Sequence, residues 1–171
     1  MDNFDIIIKD NFFDKSLIKK LKEKIPYILY KGLDNYLERD PNKHVWFSTP
    51  VEKEISLIIK NKIETILNKK FEIVLCDYTM LATVKPLVHC DKGGCTHQAI
   101  IYIKGNNNIH KGTGFYILNE ENKNLELNTH IGFKENRSII WESSAWHSPM
   151  NWAAEDKSKR FSIIIQFKTV K

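Results

Sequence analysis

The spacing of apolar residues changes near the middle of the chain. Up to about residue 70 it is mostly helical; beyond that point short apolar or alternating runs are separated by turn residues. Phe4-Asp5-Ile6-Ile7-Ile8-Lys9 has the β-branched run of a short strand. Asn11-Phe12-Phe13-Asp14 turns the chain, and Asp14 or Ser16 can cap a helix with Leu17, Ile18, Leu21 and Ile25 on one apolar face. This helix is expected to run to about Lys24 and to end at Pro26. Residues 31–50 read as polar and irregular, with a turn at Asp40-Pro41-Asn42 and an aromatic pair, Trp46-Phe47, before Pro50. Val51, Ile55, Ile58, Ile59, Ile63, Ile66 and Leu67 then predict a second helix over 51–69, closed by Asn68-Lys69-Lys70.

The second half reads as strands. They are expected over 71–84 (one or two strands), at Leu87-Val88-His89-Cys90-Asp91 after Pro86, and at Gln98–Lys104, an apolar run suited to a sheet centre. Further strands are expected at Phe115–Leu118 after Lys111-Gly112-Thr113-Gly114, near Glu126–His130, over Ser138–Trp141, around Ser144–Pro149 and over Arg160–Phe167. Helices followed by about eight short strands predict a mainly β fold, an antiparallel barrel or jelly roll with helices packed outside. Without repeats, linkers or low-complexity tracts, residues 1–171 read as a single domain, with 1–70 as an N-terminal strand and helices and 71–168 as the β core.

Composition narrows the class only modestly. A chain of 171 residues, 42% hydrophobic and 11% aromatic, is sized for one packed core. No apolar run reaches the ~20 residues of a membrane span, and the acidic Met1–Asp5 start lacks the basic and apolar regions of a signal peptide. A cytoplasmic location is the default expectation. The formal charge of +5 raises nucleic-acid binding, but the lysines are scattered and arginines few, so no such partner is expected. Three cysteines, Cys76, Cys90 and Cys95, suit a reducing compartment. The spacing Cys90-x4-Cys95-x-His97 raises a zinc site, but no second cysteine pair follows, and His89 points away from Cys90, which argues against it.

The chemistry centres on His89-Cys90-Asp91. On a strand, positions i and i+2 project to one face, so imidazole and carboxylate stand together while Cys90 faces outward. These are two of the three ligands of the facial triad that holds non-haem Fe(II) and leaves coordination positions open. The remaining histidines are His44, ahead of the β-rich half; His97, a loop away; His110, in an Asn/Lys/Gly turn; His130, on a strand; and His147, at a strand boundary before the last strand. On that strand Arg160 and Ser162 share a face with Ile164, and a guanidinium with a hydroxyl matches a carboxylate.

The order His89-x-Asp91, His147, Arg160-x-Ser162 resembles the Fe(II)- and 2-oxoglutarate-dependent oxygenases, with the prolyl 4-hydroxylase-like branch most similar over residues 71–168. Tyr78 upstream of the first ligand, Tyr102 in Ile100-Ile101-Tyr102-Ile103, the glycine-rich Gly112-Thr113-Gly114-Phe115 and Ile139-Ile140-Trp141 before the distal histidine match the same pattern. The resemblance implies a double-stranded β-helix core, Fe(II) on His89, Asp91 and His147, and 2-oxoglutarate chelating the metal with its 5-carboxylate on Arg160. Ser162 and Tyr102 would donate to that carboxylate, with Tyr78 lining the same pocket. It further implies consumption of O2, release of succinate and CO2, hydroxylation of a substrate C–H bond, and support of turnover by ascorbate. A prolyl residue in a peptide or protein is the first substrate expected, a free amino acid or small metabolite the second. Trp141, Trp146 and Trp152 stand around His147 and are read as core or substrate wall. A cupin-like binder of small acids without redox chemistry would lack a use for a complete triad, and a zinc hydrolase would lack a general base beside it.

Overall fold

A computed structural model of the chain describes residues 5–37, 46–81, 87–105, 109–150 and 159–170. The expected turn at residues 40–42, His44, Pro86 and Trp152 lie outside the described residues. The order is β1 (Ile6–Lys9), α1 (Lys15–Leu37), β2 (Trp46–Pro50), α2 (Lys53–Leu67), β3 (Phe71–Leu81), β4 (His97–Lys104), β5 (Gly112–Leu118), β6 (Leu125–Gly132), β7 (Ser138–Glu142), β8 (Trp146–Met150) and β9 (Arg160–Thr169).

The strands form two antiparallel sheets, a six-stranded one in the order β1-β7-β4-β9-β3-β2 and a three-stranded one in the order β6-β5-β8. Strands β4 and β9 sit at the middle of the large sheet, and both of its faces there are covered. Ala99, Ile101 and Ile103 of β4 with Phe161, Ile163, Ile165 and Phe167 of β9 pack against Ile18, Leu21, Ile25 and Leu29 of α1 and Ile59 and Ile63 of α2. The alternate residues Ile100 and Tyr102 face Phe115 and Ile131 of the small sheet, with Ile139 and Trp141 alongside. This double burial is why β4 lacks polar alternation. The fold is mainly β, two helices backing a jelly-roll-type pair of sheets.

Helix α1 runs through Pro26, so the expected end near Lys24 is corrected. Proline removes one backbone hydrogen bond at a cost of about 3 kcal/mol. Ile25 and Leu29, both fully buried, each contribute about 1.5–3 kcal/mol on the same apolar stripe. The stripe outweighs the interruption. The stretch after Pro26, read as irregular from residue 31, is therefore helical to Leu37, and Trp46–Pro50 is a strand registered on β3 (Phe47 opposite Met80, Pro50 opposite Asp77). The second helix ends as its sequence indicated, on Asn68 in the left-handed conformation (φ 50°), whose N–H bonds to the Glu64 carbonyl.

The N-terminal segment is fastened through Asn136. Its side-chain oxygen accepts from the Phe13 N–H and its amide donates to the Phe13 carbonyl, each at 2.8 Å. Its own N–H donates to the Tyr102 carbonyl at 2.8 Å, so one residue ties the start of the chain to β4. None of the described helices is long and apolar enough to cross a membrane.

Candidate metal and cosubstrate site

Residues 87–91 do not form the full strand expected of them. His89 makes a single antiparallel bridge with His147 of β8, donating N–H to the His147 carbonyl at 3.0 Å and accepting at 2.8 Å. The Asp91 N–H then leaves β8 for the Ser143 carbonyl at 3.1 Å, which stops the ladder. The bridge itself does what the strand was expected to do. Residues directly opposite in an antiparallel pair project to one face, so the two imidazoles meet with ring centroids 4.5 Å apart.

Asp91 completes the group. Its Oδ2 lies 3.8 Å from His89 Nε2 and 3.6 Å from His147 Nε2. One ligand atom from each residue lies within 4.8 Å of the others, and this is the metal-capable cluster found among the described residues. Cys90, Cys95 and His97 form no such cluster there: the Cys95 thiol faces the Asp91 carbonyl at 3.7 Å, and His97 stacks on Phe167.

Both histidines are oriented as ligands. His89 Nδ1 is 3.0 Å from the Leu87 carbonyl and His147 Nδ1 is 3.0 Å from the Ala145 carbonyl. A carbonyl only accepts, so each Nδ1 donates to it and each ring is turned with its Nε2 toward Asp91. Burial pushes the His147 pKa down to about 4; the Ala145 carbonyl opposes the shift, His89 adds to it, Asp91 opposes it and Arg160 adds to it. His147 is thus neutral at neutral pH, the state a metal requires. The Gln98 amide donates to Asp91 Oδ2 and fixes the carboxylate. The Trp141 ring meets His147 edge-on at 5.0 Å. His147 is buried, whereas His89 is half exposed, so the cluster is reachable from one side. Two imidazoles and a carboxylate on one face, with fixed outer nitrogens, fit Fe(II) with positions left for other ligands.

The triad opens into a cavity of about 230 Å³ between the sheets, whose wall includes Thr79, Gln98, Thr113, Trp141 and Arg160. Arg160, 2% exposed, donates from Nη1 to the Gly112 carbonyl at 3.1 Å and lies 5.6 Å from the Tyr102 ring centroid. Gly112 is required at that point: its φ is +150°, and a Cβ there would lie 2.0 Å from the Ile131 carbonyl oxygen. The Tyr102 hydroxyl, paired with Thr113 at 2.6 Å, interacts with the guanidinium, and two residues along β9 Ser162 pairs with Thr79 at 2.9 Å. A buried cation with hydroxyls on the same sheet face is suited to a carboxylate.

The structure therefore brings His89, Asp91, His147, Arg160, Ser162 and Tyr102 to one side of the large sheet. It does not bring Tyr78 there. Tyr78 and Met80 point from β3 into the helix-side core, and the Tyr78 hydroxyl donates to Glu52, which also pairs with Lys24. The alternate residues Asp77 and Thr79 line the cavity instead. Trp141 packs on Phe115 and also lines the cavity. Trp146 is not part of that wall, and neither is His130. Sequence reasoning missed Gln98, Thr79, Thr113, Asp77 and Gln166. Gln98 had a signal, as the polar residue opening a buried apolar strand; the threonines had none before β3 and β5 were placed.

No protein-family model matches the chain, and no curated protein is similar to it in sequence. Solved structures are similar in fold. A prolyl hydroxylase from Trichoplax adhaerens, in complex with a peptide fragment of the hypoxia inducible factor oxygen degradation domain, matches with a TM-score of 0.58 at 14% identity, over 95% of this chain and 82% of that one. A prolyl-4-hydroxylase from Pseudomonas putida matches with a TM-score of 0.58 at 11% identity, over 99% of this chain and 95% of that one. The epimerase SnoN in complex with Fe3+, alpha ketoglutarate and nogalamycin RO matches with a TM-score of 0.59 at 8% identity, over 95% of this chain and 78% of that one. The chain has the fold of the non-haem 2-oxoglutarate-dependent oxygenases, prolyl hydroxylases among them, and its His-x-Asp…His triad fits that group.

Proposed function

We propose that the chain is an Fe(II)- and 2-oxoglutarate-dependent dioxygenase that hydroxylates a C–H bond, with a prolyl residue of a peptide or protein as its first substrate. The observation that carries this reading is the joint placement of an oriented His-Asp-His cluster and a buried arginine in one cavity. His89, Asp91 and His147 would hold the metal. Bound there, iron would supply O2 activation coupled to decarboxylation of 2-oxoglutarate to succinate and CO2.

The chain's own contribution is positioning. Arg160 receives the 5-carboxylate, and Ser162 and Tyr102 turn hydroxyls toward it; Tyr78 has no part. Gln98 holds Asp91 against rotation. Trp141, Ile100 and Ile164 line the space between anchor and triad and exclude water from it. The prolyl assignment is supported by the two prolyl hydroxylases of the same fold. A small molecule is the second reading, favoured by a neighbour solved with one.

The test is succinate formation from 2-oxoglutarate with Fe(II) and ascorbate, alone and with proline-containing peptides, with mass spectrometry for a product heavier by one oxygen. Turnover dependent on Fe(II) and 2-oxoglutarate supports the oxygenase. A protein that neither turns over nor binds iron refutes it and leaves a non-catalytic, cupin-like acid binder. Oxidation of a small amino acid or metabolite, with no peptide modified, would select the second reading.

A further inference from the structure

We infer that the substrate carries a cationic group, an ammonium or guanidinium, which is received by Asp77; this rests on the oxygenase reading above. Asp77 lies on β3 with its neighbours in alternation, Leu75 and Thr79, on the cavity face. In register it stands between Pro50 of β2 and Ile164 of β9. A carboxylate at such a position is costly unless it is paired, because the inner face of a sheet offers it little water. The fold does not use it: among the described residues no hydrogen bond or ion pair engages the Asp77 side chain, whereas Asp10, Glu52, Glu64 and Asp91 are all engaged.

Charge in the cavity points the same way. Bound Fe(II) and the 2-oxoglutarate dianion would cancel, and Arg160 would balance Asp91. Asp77 is then left uncompensated in the same half-enclosed space, and a bound cation would neutralise it. The carboxylate is half-buried, beside the polar side chains of Ser48 and Gln166 and the exposed, apolar Leu75. Together they make a surface for a cationic group carried on an aliphatic stem.

The experiment measures binding to the full chain loaded anaerobically with Mn(II) and 2-oxoglutarate, by calorimetry. Probes are free lysine and arginine, proline-containing pentapeptides in which lysine or arginine flanks the proline on either side, and the matching norleucine and citrulline compounds. The cationic member of at least one pair should bind about tenfold or more tightly than its neutral isostere, the scale of one desolvated charge pair. Asp77→Asn should abolish that preference and Asp77→Glu should retain part of it, with thermal melting to confirm that each variant is folded. The free amino acids against the peptides distinguish a small substrate from a polypeptide one. Equal binding of both members of every pair, no binding of any cationic probe, or a preference that survives Asp77→Asn would overturn the assignment. Failure of the wild-type chain to bind 2-oxoglutarate in the same titrations would instead sink the oxygenase reading.

Discussion

Replacing Arg160 separates cosubstrate binding from metal binding. Arg160 is buried, its Nη1 is held on the Gly112 carbonyl at 3.1 Å, and Tyr102, itself paired with Thr113, interacts with it. Hydrogen bonds to a charged group are worth about 1.5–3 kcal/mol each, and a guanidinium can make two to one carboxylate. With both bonds at the lower end of that range, loss of the fork should cost about 3–4 kcal/mol, or roughly 140- to 700-fold in 2-oxoglutarate affinity at about 1.4 kcal/mol per decade. Arg160→Gln should show this full loss. Arg160→Lys keeps the charge without the fork and should lose about tenfold. Metal affinity should stay within about threefold, since the triad is held by the Leu87 and Ala145 carbonyls and Gln98. The assay is anaerobic calorimetry of 2-oxoglutarate into Mn(II)-loaded protein, beside a separate Mn(II) titration. Unchanged 2-oxoglutarate affinity in Arg160→Gln, with the fold intact, would refute the assignment of Arg160 as the anchor.

Other outcomes follow from neighbouring contacts. Gln98→Leu removes the donor that fixes Asp91 while keeping the side-chain volume, and metal affinity should fall about 10- to 100-fold, read by competitive chelator titration. Asn136→Ala removes two buried hydrogen bonds to Phe13 and places alanine at φ 60°. It should cost about 3 kcal/mol, or about 6–12 °C in Tm, by calorimetric melting. The Asp10 carboxyl is held down at about 2, first by its hydrogen bond from Arg137, then by that from Lys134. Its folded pKa lies below its unfolded value of about 3.9, so its stabilisation is present above pH 4 and lost as the pH falls toward 2. Asp10→Asn should reduce stability at pH 6 and make the variant's acid unfolding less steep between pH 4 and 2, followed by urea midpoints.

What could be read in the sequence depended on whether one residue's chemistry or several elements' packing decided the outcome. The helical stripe of α2, the apolar run of β4 and the alternation Arg160, Ser162, Ile164 on β9 are local patterns, and each appears in the structure, except that Ile58 of the α2 stripe faces outward at 37% exposure. Pro26 misled because its penalty is local while the burial of Ile25 and Leu29 that offsets it is tertiary. Tyr78 misled for a different reason. It neighbours Thr79, and on a strand a shift of one residue moves a side chain to the opposite face. Residues 87–91 proved to be a bridge rather than a strand, because Asp91 bonds to Ser143 in the turn after β7. Their same-face geometry was nevertheless legible, since it needs only one pair. Gln98, Thr113 and Asp77 matter through partners far along the chain or through the cavity they border, and no local pattern marks such partners.

The central claim is that His89, Asp91 and His147 bind one metal ion, and anaerobic equilibrium dialysis with Fe(II) tests it most directly. The wild-type chain should hold one iron, His147→Ala should hold none at the same free-iron concentration, and His130→Ala, which alters a histidine outside the cavity, should hold one. Iron retained by His147→Ala, or lost with His130→Ala while the fold persists, would contradict the account.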